Sequence, residues 1–171
     1  MNNLNHVAFI MDGNGRWGKN KKRGRNYGHI QGVKTVEKVV QSSLKLKIPI
    51  ITFYVFSTEN WKRPKGEINF LFNLIASYFK KEIKNVVKNG IKINILGDTL
   101  SFSKSLKKIL NDTIKKTAKN KKLIVNLALN YGSKNEIKNA LIKLNKNYSK
   151  VTESKISKNL YTSKLPQHEI A

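Results

Sequence analysis

Four short runs of β-branched, aliphatic and aromatic residues recur along the chain, at 6–11 (HVAFIM), 48–57 (IPIITFYVFS), 91–97 (IKINILG) and 123–131 (LIVNLALNY). Residues of this type favour strands. Between and after them, apolar residues fall at helical spacing. Ile30, Val33, Val36, Val40 and Leu44 mark a helix from about His29 to Lys47, and Leu71, Leu74, Ile75, Tyr78, Phe79, Ile83 and Val86 mark a longer one closed by Asn89-Gly90. Leu106, Ile109, Leu110 and Ile114 place a lysine-rich helix over 103–119, Ile137, Leu141 and Leu144 place another over 133–148, and a weaker stretch runs from about Glu153 to Tyr161. The alternation β-α-β-α-β-α-β-α predicts one α/β domain over 1–171 with a mainly parallel sheet, because parallel strands need crossover connections that pack on the sheet. Ligands in such sheets bind at the carboxyl ends of the strands.

Two polar segments leave those ends. Residues 12–28 (DGNGRWGKNKKRGRNYG) hold five glycines and no apolar run, so they read as a loop after a short buried strand that ends at Asp12. Thr58 to Gly66 reads as a second loop after the second strand.

The chain carries 34 Lys and Arg against 10 Asp and Glu, a net charge of +24, which suits partners that are polyanions, anionic membrane surfaces or phosphorylated substrates. A nucleic-acid-binding protein without catalysis is therefore one reading. The lysines, however, are spread over nearly every segment among many asparagines, the pattern of solvated faces in a lysine-biased composition, and no nucleic-acid-binding module is recognisable. With no cysteine, disulfides and thiolate metal sites are excluded, which fits a cytoplasmic setting. No apolar run is long enough to span a bilayer, and residues 1–11 lack the basic and small-residue features of a secretory leader.

The arginines are more selective. Only four of the basic residues are Arg: Arg16, Arg23 and Arg25 in the first polar segment and Arg63 in the second. The only two tryptophans, Trp17 and Trp61, lie in the same two segments. A guanidinium binds phosphate oxygens through a planar fork that an ammonium cannot reproduce. In Asp12-Gly13-Asn14-Gly15-Arg16-Trp17, the glycines let backbone N–H groups approach an anion and Arg16 adds a fork. Asp12, one of three aspartates, supplies the lone carboxylate that a Mg²⁺ bridge to a phosphate needs. Arg25 and His29 follow, and a helix N-terminus near Gly28 would add its dipole. The same glycines also suit ordinary Asp-Gly and Asn-Gly turns. The segment is neither a Walker loop nor a GxGxxG dinucleotide fingerprint. His6 reads as a strand-end histidine, His168 lies near the terminus, and Arg23 reads as solvated.

The stretch HVAFIMDGNGRWGKNKKRGRNYGH resembles the first signature of the cis-prenyltransferases, the undecaprenyl diphosphate synthase family. FYVFSTENWKRP (53–64) is similar to the second, and Ile95-Leu96-Gly97-Asp98 and Asn130-Tyr131-Gly132 resemble the third and fourth, in order. The resemblance implies repeated cis condensation of isopentenyl diphosphate onto an allylic diphosphate such as farnesyl diphosphate, giving a polyprenyl diphosphate such as undecaprenyl diphosphate, a cell-wall lipid carrier. It implies that Asp12 holds Mg²⁺ on the allylic diphosphate. The Gly13, Asn14 and Gly15 amides, with Arg16, Arg25 and Arg63, would hold that diphosphate. Trp17, His29, Ser57, Thr58, Glu59 and Trp61 would line the substrate site, and Asn60 matches the proposed proton acceptor. An amide is a poor base, so orienting substrate is the physically easier role for Asn60. The growing product would lie in a hydrophobic tunnel between sheet and helices, with the 71–86 helix as one wall. A homodimer is implied, together with contact at a membrane surface through product and basic charge, and no specific nucleic acid.

Family members continue past the position of Ala171 with a strand and an arginine- and serine-bearing signature for isopentenyl diphosphate, and a further glutamate for the metal. The expectation is therefore a domain incomplete at its C-terminal end, with C-terminal strands missing and half of a two-substrate site: an inactive fragment that binds an allylic diphosphate weakly without catalysing condensation.

Overall fold

The computed structural model describes residues 4–144, 151–163 and 165. Among them four strands form one parallel sheet in the order β1-β2-β4-β3: β1 His6–Ile10, β2 Ile50–Ser57, β3 Ile91–Leu96 and β4 Leu123–Tyr131. The helices are α1 Asn14–Asn20, α2 Gly24–Lys45, α3 Lys65–Lys88, α4 Lys104–Thr117, α5 Ser133–Lys143 and α6 Glu153–Asn159, and a 3₁₀ turn, Thr58–Lys62, follows β2. The parallel sheet flanked by helices that the β-α alternation predicts is present. His168 and the end of the helix expected over 133–148 lie outside the described residues.

The central strands β2 and β4 are largely buried, as strands inside a parallel sheet are. Ile51, Phe53, Phe56, Leu110, Leu123 and Leu129 are fully buried in one core that α3 and α4 close. Helix ends carry local signals. Ser103 Oγ accepts the Leu106 amide at the start of α4, and Gly90, with φ 70°, follows the end of α3. β3 is an edge strand, and the end of α4 with the turn after it covers it chemically: the Ile93 amide donates to Thr117 Oγ1 at 3.1 Å and Asn120 Nδ2 donates to the Ile91 carbonyl at 2.7 Å. These bonds occupy groups that would otherwise invite another strand.

On the other side of the sheet from Val125 and Leu127 runs a polar row. Asn94 Nδ2 donates to Asn126 Oδ1 at 3.0 Å, Asn126 Nδ2 donates to Thr52 Oγ1 at 3.0 Å, and His6 Nε2 lies 2.7 Å from the same hydroxyl. Thr52, Asn126 and Asn94 are direct cross-strand neighbours. Asn126 is wholly buried, and its hydrogen bonds offset the loss of water. His6 is thus the strand-end histidine that its position suggested.

Three expectations are corrected. Residues 12–28 are not a loop but α1, a short break and the first turn of α2. The helix begins at Gly24 rather than His29, so Gly28 is inside α2 and not at its N-terminus. Its glycines mostly serve contact: a Cβ on Gly28 would sit 1.8 Å from the Asn14 carbonyl oxygen, and one on Gly18 would sit 2.3 Å from that of Gly24. β1 is an edge strand with Ile10 80% exposed, not a buried strand reaching Asp12. Thr58 to Gly66 is the 3₁₀ turn plus the start of α3, which Pro64 opens.

Candidate active site

Asp12 follows β1 at its carboxyl end, and the chain turns there on Gly13, whose φ of 85° is unstrained only for glycine. α1 starts there, and its first amides lack acceptors within the helix. Asp12 Oδ1 accepts the Gly13 amide at 2.6 Å, while Oδ2 lies 3.4 Å from Arg16. Both side chains are largely exposed, at 67% and 75%. Trp17 stacks on Tyr27 at 5.8 Å, and Arg23 lies over the same Tyr27 ring at 5.1 Å, so this arginine has a partner that the sequence did not suggest.

Arg25, His29 and Arg63 converge on one residue that the sequence reading did not select, Glu67 in the first turn of α3. Only 8% of Glu67 is exposed. Its Oε1 receives His29 Nε2 at 3.1 Å and Arg63 Nη1 at 3.2 Å, and its Oε2 lies 2.9 Å from Arg25 Nε. The Arg25 contact is an ion pair by distance, but its buried Nε–H has no aligned acceptor. Arg25 also lies against α1, where a Cβ on Gly15 would come within 3.2 Å of its Nε. Gly15 thereby makes room for the guanidinium. Glu67 sits four residues after Arg63, a spacing that faces the two side chains together on a helix; in a chain with so few acids, that was the available signal.

Burial holds the His29 imidazole below its ordinary 6.5, helped by the Arg63 and Arg25 charges and opposed by Glu67. It is therefore neutral at pH 7 and donates from Nε2 to the carboxylate. For Glu67, burial favours protonation, but its His29 and Arg25 contacts and both arginine charges outweigh this, and its pKa lies below 4.5. Both shifts make the unfolded chain bind protons first on acidification. Stability is expected to be fullest above pH 6.5, to decline below it as His29 contributes, and to decline further below 4.5 with Glu67. Thermal unfolding across pH 4 to 8 checks this; His29→Gln should flatten the upper stage alone.

The second signature forms the turn after β2. The Ser57 amide donates to Asn60 Oδ1 at 3.2 Å, which occupies that oxygen and leaves the Asn60 NH₂ as the available group. Glu59 is exposed, and hydrogen bonds from its own amide and from the Ser57 and Thr58 hydroxyls keep its carboxyl below the ordinary range. Trp61 packs on Phe56 and Phe72 at 5.2 and 5.7 Å and donates its indole N–H to Asn130 Oδ1 at 2.8 Å. Asn130 in turn donates to the Asp98 carbonyl at 2.7 Å. The second, third and fourth signatures are thus one hydrogen-bonded joint at the carboxyl ends of β2, β3 and β4. Trp61 anchors that joint, with 39% of its surface still exposed.

Between α2, α3 and the sheet lies a cavity of ≈ 560 Å³. Val33, Val36 and Val40 of α2, Ile75 and Phe79 of α3, and Val125, Leu127 and Leu129 of β4 line much of it. His29 is one helical turn before Val33, and Glu67 is two turns before Ile75, so the charged cluster lies along the same helix faces as the cavity wall. Tyr78 in that wall is pushed up to about 12 by burial and by the Glu37 and Glu82 charges, so it remains neutral.

Known proteins share this sequence pattern and this fold. The family model described as putative undecaprenyl diphosphate synthase matches residues 10–171. The chain belongs to this family of cis-prenyltransferases. The isoprenyl transferase of Shouchella clausii (strain KSM-K16) is 40% identical over 167 residues, covering 94% of this chain and 65% of that protein. That of Clostridium tetani (strain Massachusetts / E88) is 39% identical over 172 residues, covering 96% and 68%. The chain thus spans about two thirds of the length of these curated isoprenyl transferases. The crystal structure of a probable undecaprenyl diphosphate synthase from Campylobacter jejuni matches with a TM-score of 0.76 at 30% identity, over 94% of this chain and 71% of that one. Lavandulyl diphosphate synthase from Lavandula x intermedia, solved in complex with dimethylallyl diphosphate, shares the fold at a TM-score of 0.87 and 24% identity, over 93% and 71%.

Proposed function

We propose that the chain carries the allylic-diphosphate half of an isoprenyl transferase site. It takes an allylic diphosphate such as farnesyl diphosphate, to which isopentenyl diphosphate is joined with cis geometry, giving a polyprenyl diphosphate such as undecaprenyl diphosphate. The observation that carries this reading is the convergence of Arg25 and His29 of α2 with Arg63, just before α3, on Glu67, at the start of helix faces that continue into an apolar cavity. A diphosphate needs the first and an isoprenoid tail needs the second. The α1 amides of Gly13, Asn14 and Gly15, with Arg16, would take further diphosphate oxygens. Trp17, Ser57, Thr58, Glu59 and Trp61 would border the reacting end.

In the reaction the allylic C–O bond breaks, pyrophosphate leaves with the electron pair, and a C–C bond forms to isopentenyl diphosphate with loss of a proton. Arginine forks and backbone N–H groups stabilise the charge that grows on the departing oxygen. Apolar cavity walls keep water from the allylic carbon. The Asn60 NH₂, left free by the bond to Ser57, suits holding a diphosphate oxygen rather than removing a proton. Among the described residues no three potential protein ligands form a metal cage, but one exposed Asp12 carboxylate beside the anion site fits a Mg²⁺ completed by substrate and water. When bound, that metal would supply neutralising charge to the diphosphate.

Calorimetry with a nonreactive farnesyl diphosphate analogue and with farnesol tests the reading: binding should require the diphosphate. Arg63→Lys should weaken the analogue by about tenfold, since Lys cannot both satisfy Glu67 and present a fork. Equal affinity of the two proteins would leave only point charge at that position.

We extend the proposal to a cytoplasmic homodimer that meets the membrane surface as a peripheral protein. The net charge of +24 favours anionic headgroups, and no described helix is long and apolar enough to cross a membrane. Sedimentation with and without anionic vesicles tests both parts.

A further inference from the structure

We propose that Glu67 is a positioning residue for the anion site, holding Arg25 and Arg63 in one ordered array before a diphosphate arrives. This rests on the diphosphate-binding reading above and adds a role for a residue that would not itself touch the ligand. The carboxylate is buried, and a buried charge persists only when it is paired. Its partners come from two elements: Arg25 and His29 from the first two turns of α2, and Arg63 from the residue before Pro64. One side chain therefore ties together the starts of the two helices that line the cavity.

The geometry leaves the arginines able to serve a second anion. Each places one nitrogen on Glu67, Arg25 through Nε and Arg63 through Nη1. A guanidinium has five N–H donors, so most of each fork stays available. The Arg25 side chain is 38% exposed and that of Arg63 26%, against 6% for the Glu67 side chain. The cations thus reach solvent while the carboxylate does not. Without the carboxylate, two guanidinium groups near one another would repel and swing apart, and neutral His29 adds no charge to replace it. Removing Glu67 therefore has two opposed consequences. The site becomes more positive, which favours any anion, and the array loses its order, which disfavours an anion that must meet both forks at once. Inorganic phosphate reports mainly the first, and pyrophosphate, long enough to meet both forks, reports the second.

The experiment is calorimetric titration of the full chain with inorganic pyrophosphate and, separately, inorganic phosphate. Glu67→Gln keeps the shape and a hydrogen-bond acceptor but removes the charge. It should lose about tenfold or more in pyrophosphate affinity, with phosphate affinity changed about threefold or less. Glu67→Asp keeps the charge at shorter reach and should fall between Gln and the native residue; it also carries the test if the Gln variant does not fold. Selectivity for pyrophosphate over phosphate that is unchanged or increased in a folded variant overturns the positioning role. Failure of the native chain to bind either pyrophosphate or a farnesyl diphosphate analogue is a different result: it overturns the diphosphate reading itself, and this inference with it.

Discussion

On the proposed reading, Asp12→Ala should lower any Mg²⁺-dependent isoprenyl transfer by about 10²-fold or more while hardly moving the unfolding temperature. The first part follows from what a carboxylate beside a diphosphate supplies: losing one group that stabilises developing charge commonly costs that much. The second follows from its surroundings. The side chain is 67% exposed, its contact with Arg16 is a long 3.4 Å, and its one short bond is to the adjacent Gly13 amide. An exposed pair of this kind contributes little to folding. The effect should also appear without turnover, as loss of the Mg²⁺ dependence of binding to a nonreactive allylic diphosphate analogue. Mg²⁺-dependent affinity for that analogue equal to that of the native chain would remove Asp12 from the metal role.

The largest effect on the fold is expected from one added methyl group, in Gly28→Ala. Its Cβ would lie 1.8 Å from the Asn14 carbonyl oxygen and 2.7 Å from the Asn14 carbonyl carbon. Those are backbone atoms of α1 and cannot rotate aside as a side chain would. α1 must separate from α2, and overpacking of this kind costs roughly 3 kcal/mol or more, about 10 °C in unfolding temperature. Because α1 carries Asn14, Gly15 and Arg16 and starts from Gly13, diphosphate affinity should fall together with stability. Gly66→Ala is the contrast. Gly66 lies in the first turn of α3 with nothing within 4 Å of an added Cβ, and helix propensity favours Ala by about 0.5–1 kcal/mol. Similar unfolding temperatures for the two alanine variants would show that α1 is not held by that contact.

The same glycines explain where the sequence was legible and where it was not. The 71–86 stripe, the Asn89-Gly90 stop and the 123–131 run are read directly because their side chains pack at regular spacing, and the structure places α3, its end and β4 there. α1 and the first turn of α2 carry no apolar stripe. They meet through backbone at Gly18 and Gly28, so a helix pair there looks like a loop. β1 differs from its sequence pattern for another reason: HVAFI is as apolar as a central strand, and only the strand order makes it an edge. In the candidate site, Asp12 and the four arginines stood out by rarity. Glu67 did not, because an acid in the first turn of a helix is expected for the helix dipole alone. Its burial is decided by α2, forty residues earlier in the chain. Trp61 was selected as a border of the substrate site, and it is also the anchor that joins three signatures through Asn130.

The polar row across the sheet has a consequence for folding rather than for catalysis. A parallel strand can slide along its neighbour by one residue, and each such slip turns every side chain to the opposite face. In β4, a slip would place Asn126 among the valines and leucines of the cavity and leave Thr52 facing a hydrocarbon. An amide stranded in that way costs several kcal/mol, comparable with a large share of the stability of a domain this size. Thr52, Asn126 and Asn94 therefore act as a misalignment penalty written across three strands. The apolar wall opposite, made of interchangeable Val, Leu and Ile, could not discriminate the correct alignment nearly so sharply.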